Sequence, residues 1–299
     1  MQTTSPTAST SAAYDASATR VVPQLNRVVV GVRGATSDEG VMRAAAAIAR
    51  RHGSQVTAAT VFRPRVLAPP RALTRRHPME EGDRREAAAW LRGVRAQLRR
   101  ARHAHERWRV YRAVGDPGTE IARAAARLEA ELTVIGLGRE TAEAREYGSH
   151  VALRLAQLAG APLLAVARGC SSVWHTAVAL LDGRPHDAAV LHATASLLAR
   201  PARIVALAPP VAGDAHGGQE SEISGARVEY ERVASTRDWG AIALETCATR
   251  RADVIALPLY GDSPPVRALT NHRALRLLSD ARCSVLLVPD GGWSPDLLD

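Results

Sequence analysis

A chain of 299 residues with 46% hydrophobic side chains has room for two domains, and at 4% aromatic their cores must come from Ala, Val, Leu and Ile. The formal charge is +9, and all 39 basic residues are Arg. The absence of Lys excludes a Walker A phosphate loop and any Schiff-base or pyridoxal chemistry, while the scarcity of rings that could stack on bases argues against nucleic acid.

Residues 1–24 are rich in Ser, Thr and Ala and read as a disordered tail. The run at 27–32 (RVVVGV) predicts a buried strand, followed by a loop of Arg33, Gly34, Ala35 and Thr36. Ser37 or Asp38 caps a helix to about His52, with Val41, Ala45, Ile48 and Ala49 on one face. A strand at 56–62 and a Pro- and Arg-rich loop at 64–78 follow. Residues 83–107 predict a charged helix with an apolar stripe of Trp90, Leu91, Val94 and Leu98; its Arg cluster reads as a solvated face. After a strand at 108–113, Gly115, Asp116 and Pro117 turn the chain into a helix that points Ile121, Ala124, Ala125 and Leu128 inward.

The stretch 131–166 organises the first half. A strand at 132–135 breaks at Gly136 and Gly138, Gly148 and Ser149 open an amphipathic helix, and a strand at 163–166 closes a βαβ crossover. Glycines let the main chain approach an anion, and the amides of Gly148, Ser149 and His150 would be the unpaired first-turn donors of that helix. Such short glycine motifs also serve as plain turns and caps, so both readings stand on spacing alone.

After Arg168 the pattern restarts. Strands are expected at 176–181, 203–207, 228–233, 254–257 and 284–288, helices at 185–200, 238–250 and 266–279, and a Gly-rich connector at 209–225. His150, Ala152, Leu153, Arg154 and Leu155 recur as His272, Ala274, Leu275, Arg276 and Leu277, an offset of 122, whereas the first strands are 149 apart. The second copy is therefore shorter by 27 residues, and the shortfall falls where the Arg-rich helix should recur.

Other signals exclude more than they suggest. No run reaches the roughly 18–20 apolar residues of a membrane span, and the N-terminus has no apolar signal core, so a cytoplasmic location without membrane partners is expected. Cys170, Cys247 and Cys283 are odd in number and distant in sequence, and predict no disulfide framework. The ten histidines show no zinc spacing, and His103 and His105 read as surface residues.

The segments RVVVGVRGAT, AVGDPGTEIARAA, LTVIGLG and YGSHVALRL together resemble the universal stress protein family, well over 26–167 and more weakly over 174–289. The resemblance implies two Rossmann-like, adenine nucleotide alpha hydrolase-like parallel-sheet α/β domains in tandem, the second trimmed. Their expected bounds are 25–169 and 172–290, with a tail at 291–299. It also implies an intramolecular pseudo-dimer through the last strands, 163–166 and 285–288, with assembly of two chains left open.

ATP-binding members carry Gly-x-x-Gly, nine residues, then Gly-Ser or Gly-Thr, and an acidic residue after the first strand. Here Gly136 and Gly138 replace the paired glycines, Arg139 stands where the second would fall, and Arg33 takes the acidic position. The candidate nucleotide-binding set is thus Arg33, Gly136, Gly138, Arg139, Gly148, Ser149 and His150. Arg33 and Arg139 would favour an anionic ligand through bidentate contacts, unless Arg33 merely pairs with Asp38 or Glu39. In the second half Asp182 holds the acidic position, but Pro258, Thr270 and Asn271 replace the glycine motif, and ATP binding is not expected there.

Two functions follow. One is a stress-response protein holding ATP or a related nucleotide as a regulatory ligand in its first half. The other is a scaffold of the same fold with no cofactor, working through protein partners. No nucleophile–base pair stands near the loop, and the Ser-Gly-Gly-x-Asp-Ser loop of an ATP pyrophosphatase is missing, so no enzymatic activity is expected.

Overall fold

The computed structural model describes residues 24–33, 38–63, 81–100, 108–137, 142–210, 220–234, 238–260 and 264–290. The first half runs β1 (Arg27–Gly31), α1 (Glu39–His52), β2 (Gln55–Phe62), α2 (Glu81–Arg100), β3 (Arg109–Val114), α3 (Pro117–Arg127), β4 (Leu132–Gly136), α4 (Ala142–Ala159) and β5 (Leu163–Val166). The second runs β6 (Trp174–Leu180), α5 (Asp187–Leu197), β7 (Leu198–Ala208), β8 (Glu220–Ile223), β9 (Ala226–Arg232), α6 (Trp239–Arg250), β10 (Val254–Leu259), α7 (Pro264–Asp280) and β11 (Ser284–Pro289).

All eleven strands form one sheet in the order β3-β2-β1-β4-β5-β11-β10-β6-β7-β9-β8. Each half is a parallel 3-2-1-4-5 arrangement, because β6, β7, β9, β10 and β11 repeat β1 to β5 in order. The central strands are buried on both faces and read as unbroken apolar runs, as parallel sheets covered by helices require. Val28, Val30, Leu132, Val134 and Leu164 face α1 within a core that also holds α5 residues. Val29, Ile135, Leu163 and Ala165 face the opposite core, shared by α3, α4, α6 and α7.

The halves meet where β5 and β11 pair antiparallel, with Leu164 opposite Leu286. Those two leucines are 122 residues apart and both fully buried, so the local two-fold passes between them. The same offset relates helix entries. Asp116 caps α3 by accepting from Thr119 N at 3.0 Å and lies 3.7 Å from Arg154 Nε. Asp238 caps α6 by accepting from Gly240 N at 3.0 Å and Ala241 N at 3.2 Å, and pairs with Arg276. Each carboxylate satisfies first-turn donors that the helix itself leaves open.

Two expectations need correcting. The segment at 209–225 is not connector throughout, because β8 pairs antiparallel with β9. Ser224 (φ 53°) and Gly225 (φ 76°) make the tight turn between them, and positive φ at both central positions is what a type I′ two-residue hairpin loop requires. Among the described residues this hairpin stands where the first half has α2, so the second copy is trimmed as expected. The second difference, the start of α4, bears on the candidate site.

Candidate functional site

The chain leaves β1 toward β2 on one side and leaves β4 toward β5 on the other, so the β1/β4 boundary is a switch point. Open α/β sheets bind ligands beyond the carboxyl ends of strands at such a point. A cleft of about 340 Å³ lies there, walled by Glu39, Gly40, Val41 and Arg43 of α1, Gly136 and Leu137 at the end of β4, and Arg168 after β5. That volume falls within the roughly 300–1,000 Å³ of small-molecule sites.

The wall contributed by α1 is its first turn, where backbone N–H groups lack helical partners and the dipole is positive. Asp38 precedes that turn, yet its side chain makes no capping bond. The carboxylate is 2% exposed and turns back to the β1 loop, accepting from Arg33 N at 2.6 Å. Among the described residues, two guanidinium groups, Arg43 and Arg168, border the cleft against one carboxylate, Glu39, which lies 3.8 Å from Arg43. The described part of the rim is therefore net basic.

Of the residues expected to bind a ligand, Gly136 is at the cleft. A Cβ there would meet Val41 at 3.8 Å, an ordinary contact. Arg33 is exposed and does not line the cleft; its Nε is 3.7 Å from Asp38 Oδ1, and its carbonyl accepts from the Trp90 indole N–H at 2.7 Å. The pairing with Asp38 is thus the plainer of the two readings of Arg33. Gly138 and Arg139 lie outside the described residues.

Gly148, Ser149 and His150 do not open a helix. α4 begins at Ala142, so these three amides lie in its second and third turns. An α-helix pairs N–H groups beyond its first turn with carbonyls four residues back, which removes them as anion donors. Ser149 is 1% exposed and faces α7, where the Ser279 hydroxyl donates to its Oγ at 3.3 Å. His150 is exposed. Residues 142–147 are helical where the apparent Gly-Ser cap suggested a loop.

At the corresponding place in the second half, several side chains pack on one another. The His186 ring donates from Nε2 to the Val288 carbonyl at 3.1 Å and stands edge-on to Tyr260, ring centroids 6.0 Å apart. Arg184 covers the other part of Tyr260, its guanidinium carbon 4.4 Å from the ring centroid. Asp182, at the acidic position, is bound by Arg273 at 3.1 Å. Asp187 repeats the inward turn of Asp38, accepting from the amides of Asp182, Gly183 and Arg184 at 3.1, 2.8 and 3.2 Å. Burial still pushes its carboxyl up, with those amides pulling the other way.

Residues 24–167 match the profile of the universal stress protein family. They form a universal stress protein domain. Across both halves, the chain is similar to a universal stress protein of Archaeoglobus fulgidus, with a TM-score of 0.65, 12% identity, and 89% of this chain and 97% of that one covered. It is likewise similar to a functionally unknown Pseudomonas aeruginosa protein, with a TM-score of 0.59, 12% identity, and coverage of 92% and 94%. At these identities the likeness is one of fold, and it extends over the whole sheet. No curated protein sequence matches the chain. Around the cleft of the universal stress protein domain, sequence reasoning missed Arg43, Arg168 and the start of α1. The signal that could have found them is the strand order, since it alone makes the ends of β1, β4 and β5 neighbours. No described helix is long and apolar enough to cross a membrane.

Proposed function

We propose that the first half is a regulatory binding domain for an anionic small molecule, a nucleotide such as ATP being the leading candidate, held in the cleft at the β1/β4 switch point. The observation that carries this reading is the meeting of the first turn of α1, to which Asp38 makes no capping bond, with Arg43 and Arg168 around a cleft of ligand size. Backbone donors with a positive dipole and two guanidinium groups are the chemistry that recognises phosphate. The acidic group expected near a ribose is replaced by Arg33, so phosphate contacts rather than sugar contacts would dominate affinity. Binding, with no turnover, is the proposed activity.

Ser149 supports a second reading. Its hydroxyl, which a phosphate would need open, is buried against Ser279, in keeping with a scaffold that binds no nucleotide. Titration calorimetry with ATP on the parent protein and on Arg168→Glu separates the two. The binding reading expects measurable affinity in the parent and at least a tenfold loss in the variant. A parent protein that carries no nucleotide on purification and takes up none at millimolar ATP is the scaffold.

A further inference from the structure

Three cysteines scattered in sequence gather at one corner of the second half. Cys247, near the end of α6, and Cys283, just before β11, are both buried and both free thiols, and their sulfurs stand 2.9 Å apart. Two unbonded sulfurs do not ordinarily settle so close. Cys247 Sγ also donates to the Ala252 carbonyl at 3.3 Å, which orients it toward the turn that leads into β10. Cys170, half-buried on the linker between the halves, donates to the carbonyl of Arg282, the neighbour of Cys283, at 3.3 Å. Among the described residues, no group of three or more His, Cys, Asp or Glu side chains is placed to hold a metal ion.

We propose that Cys247 and Cys283 are a redox modification site that closes to a disulfide when a hydroperoxide reaches them and reopens with a small thiol. The Cys247 thiolate attacks one peroxide oxygen; the O–O bond breaks, leaving a sulfenic acid and, after proton uptake, water. The Cys283 sulfur then attacks the sulfenic sulfur. The S–S bond forms, the S–O bond breaks, and the departing hydroxide takes the Cys283 proton as a second water. Two thiols and one hydrogen peroxide thus give one disulfide and two waters, the sulfurs oxidised and the peroxide reduced.

The division of roles matches the surroundings. The contact with the Cys283 sulfur holds the Cys247 thiol below its usual value against the pull of burial, and the same contact together with burial raises Cys283. Cys247 is the thiol readier to become the nucleophile, and Cys283 keeps the proton it gives up in the second step. The bond would close a loop holding β10 and α7, the helix that packs on α4 across the seam.

The test is peptide mapping of the full chain without reduction, after treatment with a small excess of hydrogen peroxide. Trypsin, which spares Arg-Pro bonds, places Cys247 in peptide 238–250, Cys283 in 283–299 and Cys170 in 169–203. The proposal expects 238–250 joined to 283–299, lighter by two hydrogens, lost on incubation with dithiothreitol and still formed in Cys170→Ser. A join between 169–203 and 283–299 in its place overturns it. So does a parent protein whose Cys247 and Cys283 remain free thiols, or are driven to sulfonic acids with no join, while Cys170 oxidises. Because the mapping is done on the parent protein, the result does not depend on a cysteine variant folding.

Discussion

The side-chain amide of Gln157 donates to Asn271 Oδ1 at 2.8 Å, joining α4 of the first half to α7 of the second. At the repeat offset of 122, Asn271 is the counterpart of Ser149, and Ser279 is the counterpart of Gln157. The Ser279–Ser149 contact is therefore the same bond made a second time around the two-fold. Sequence has changed both partners while the geometry has kept a polar link at each place.

That pairing predicts a graded seam. Gln157→Ala leaves Asn271 part-buried with one bond fewer and should cost about 0.5–1.5 kcal/mol. Leu286→Ala, at the axis and fully buried, should cost about 2–5 kcal/mol through lost burial and the cavity left behind. Urea unfolding of the full chain checks both, and equal costs for the two would contradict the arrangement.

Gly31 and Gly136 should respond oppositely to alanine. A Cβ on Gly31 would lie 3.0 Å from Ile135 Cγ2 and 3.1 Å from Ile121 Cδ1, so α3 and β4 must yield. A loss of about 1–3 kcal/mol is expected. Gly136→Ala meets nothing nearer than 3.8 Å and should leave the thermal midpoint unchanged. Melting curves of the two variants decide it.

Asp238 should make stability depend on acid. Its carboxyl is held below the ordinary value of 3.8 by the Ala241 amide first, then by Arg276. A carboxyl lowered by folding contributes stability that is fully present above its unfolded value and is lost as pH falls through the folded one. The difference in urea midpoint between the parent and Asp238→Asn should therefore hold from neutral pH down to about 4 and shrink below it. A difference that grows on acidification would contradict the assignment.

The side chains packed around Tyr260 in the second half predict stoichiometry. With His186 and Arg184 packed on Tyr260, ATP titration should saturate at one ligand per chain, and Arg168→Glu should weaken that single event at least tenfold. A parent protein that binds two would mean the Tyr260 cluster opens.

Much of the fold was legible because parallel strands buried on both faces leave unbroken apolar runs, such as 132–135 and 284–288, and because Asp116 and Asp238 announce helix entries. The repeat was legible from His150 to Leu155 against His272 to Leu277. What escaped depends on contacts between distant segments. Ser149 looked like a cap because Gly-Ser so often is one; its burial against Ser279 exists only once α7 is docked. β8 escaped because Ser224-Gly225 is a turn only if a partner strand follows. Arg43 and Arg168 are far apart in sequence, and only the strand order brings them to one cleft. The same is true of Cys247 and Cys283.

The antiparallel contact of β5 with β11 leaves β3 and β8 as the outer margins of the sheet. Two separate copies joined this way would need each surface to complement itself, and any change would be felt on both sides at once. Tethered by a few residues, the two surfaces meet at high local concentration and need only complement each other. One half can then lose a pocket or gain a pair of thiols while its neighbour keeps what it had, so duplication within a single polypeptide frees each half to specialise.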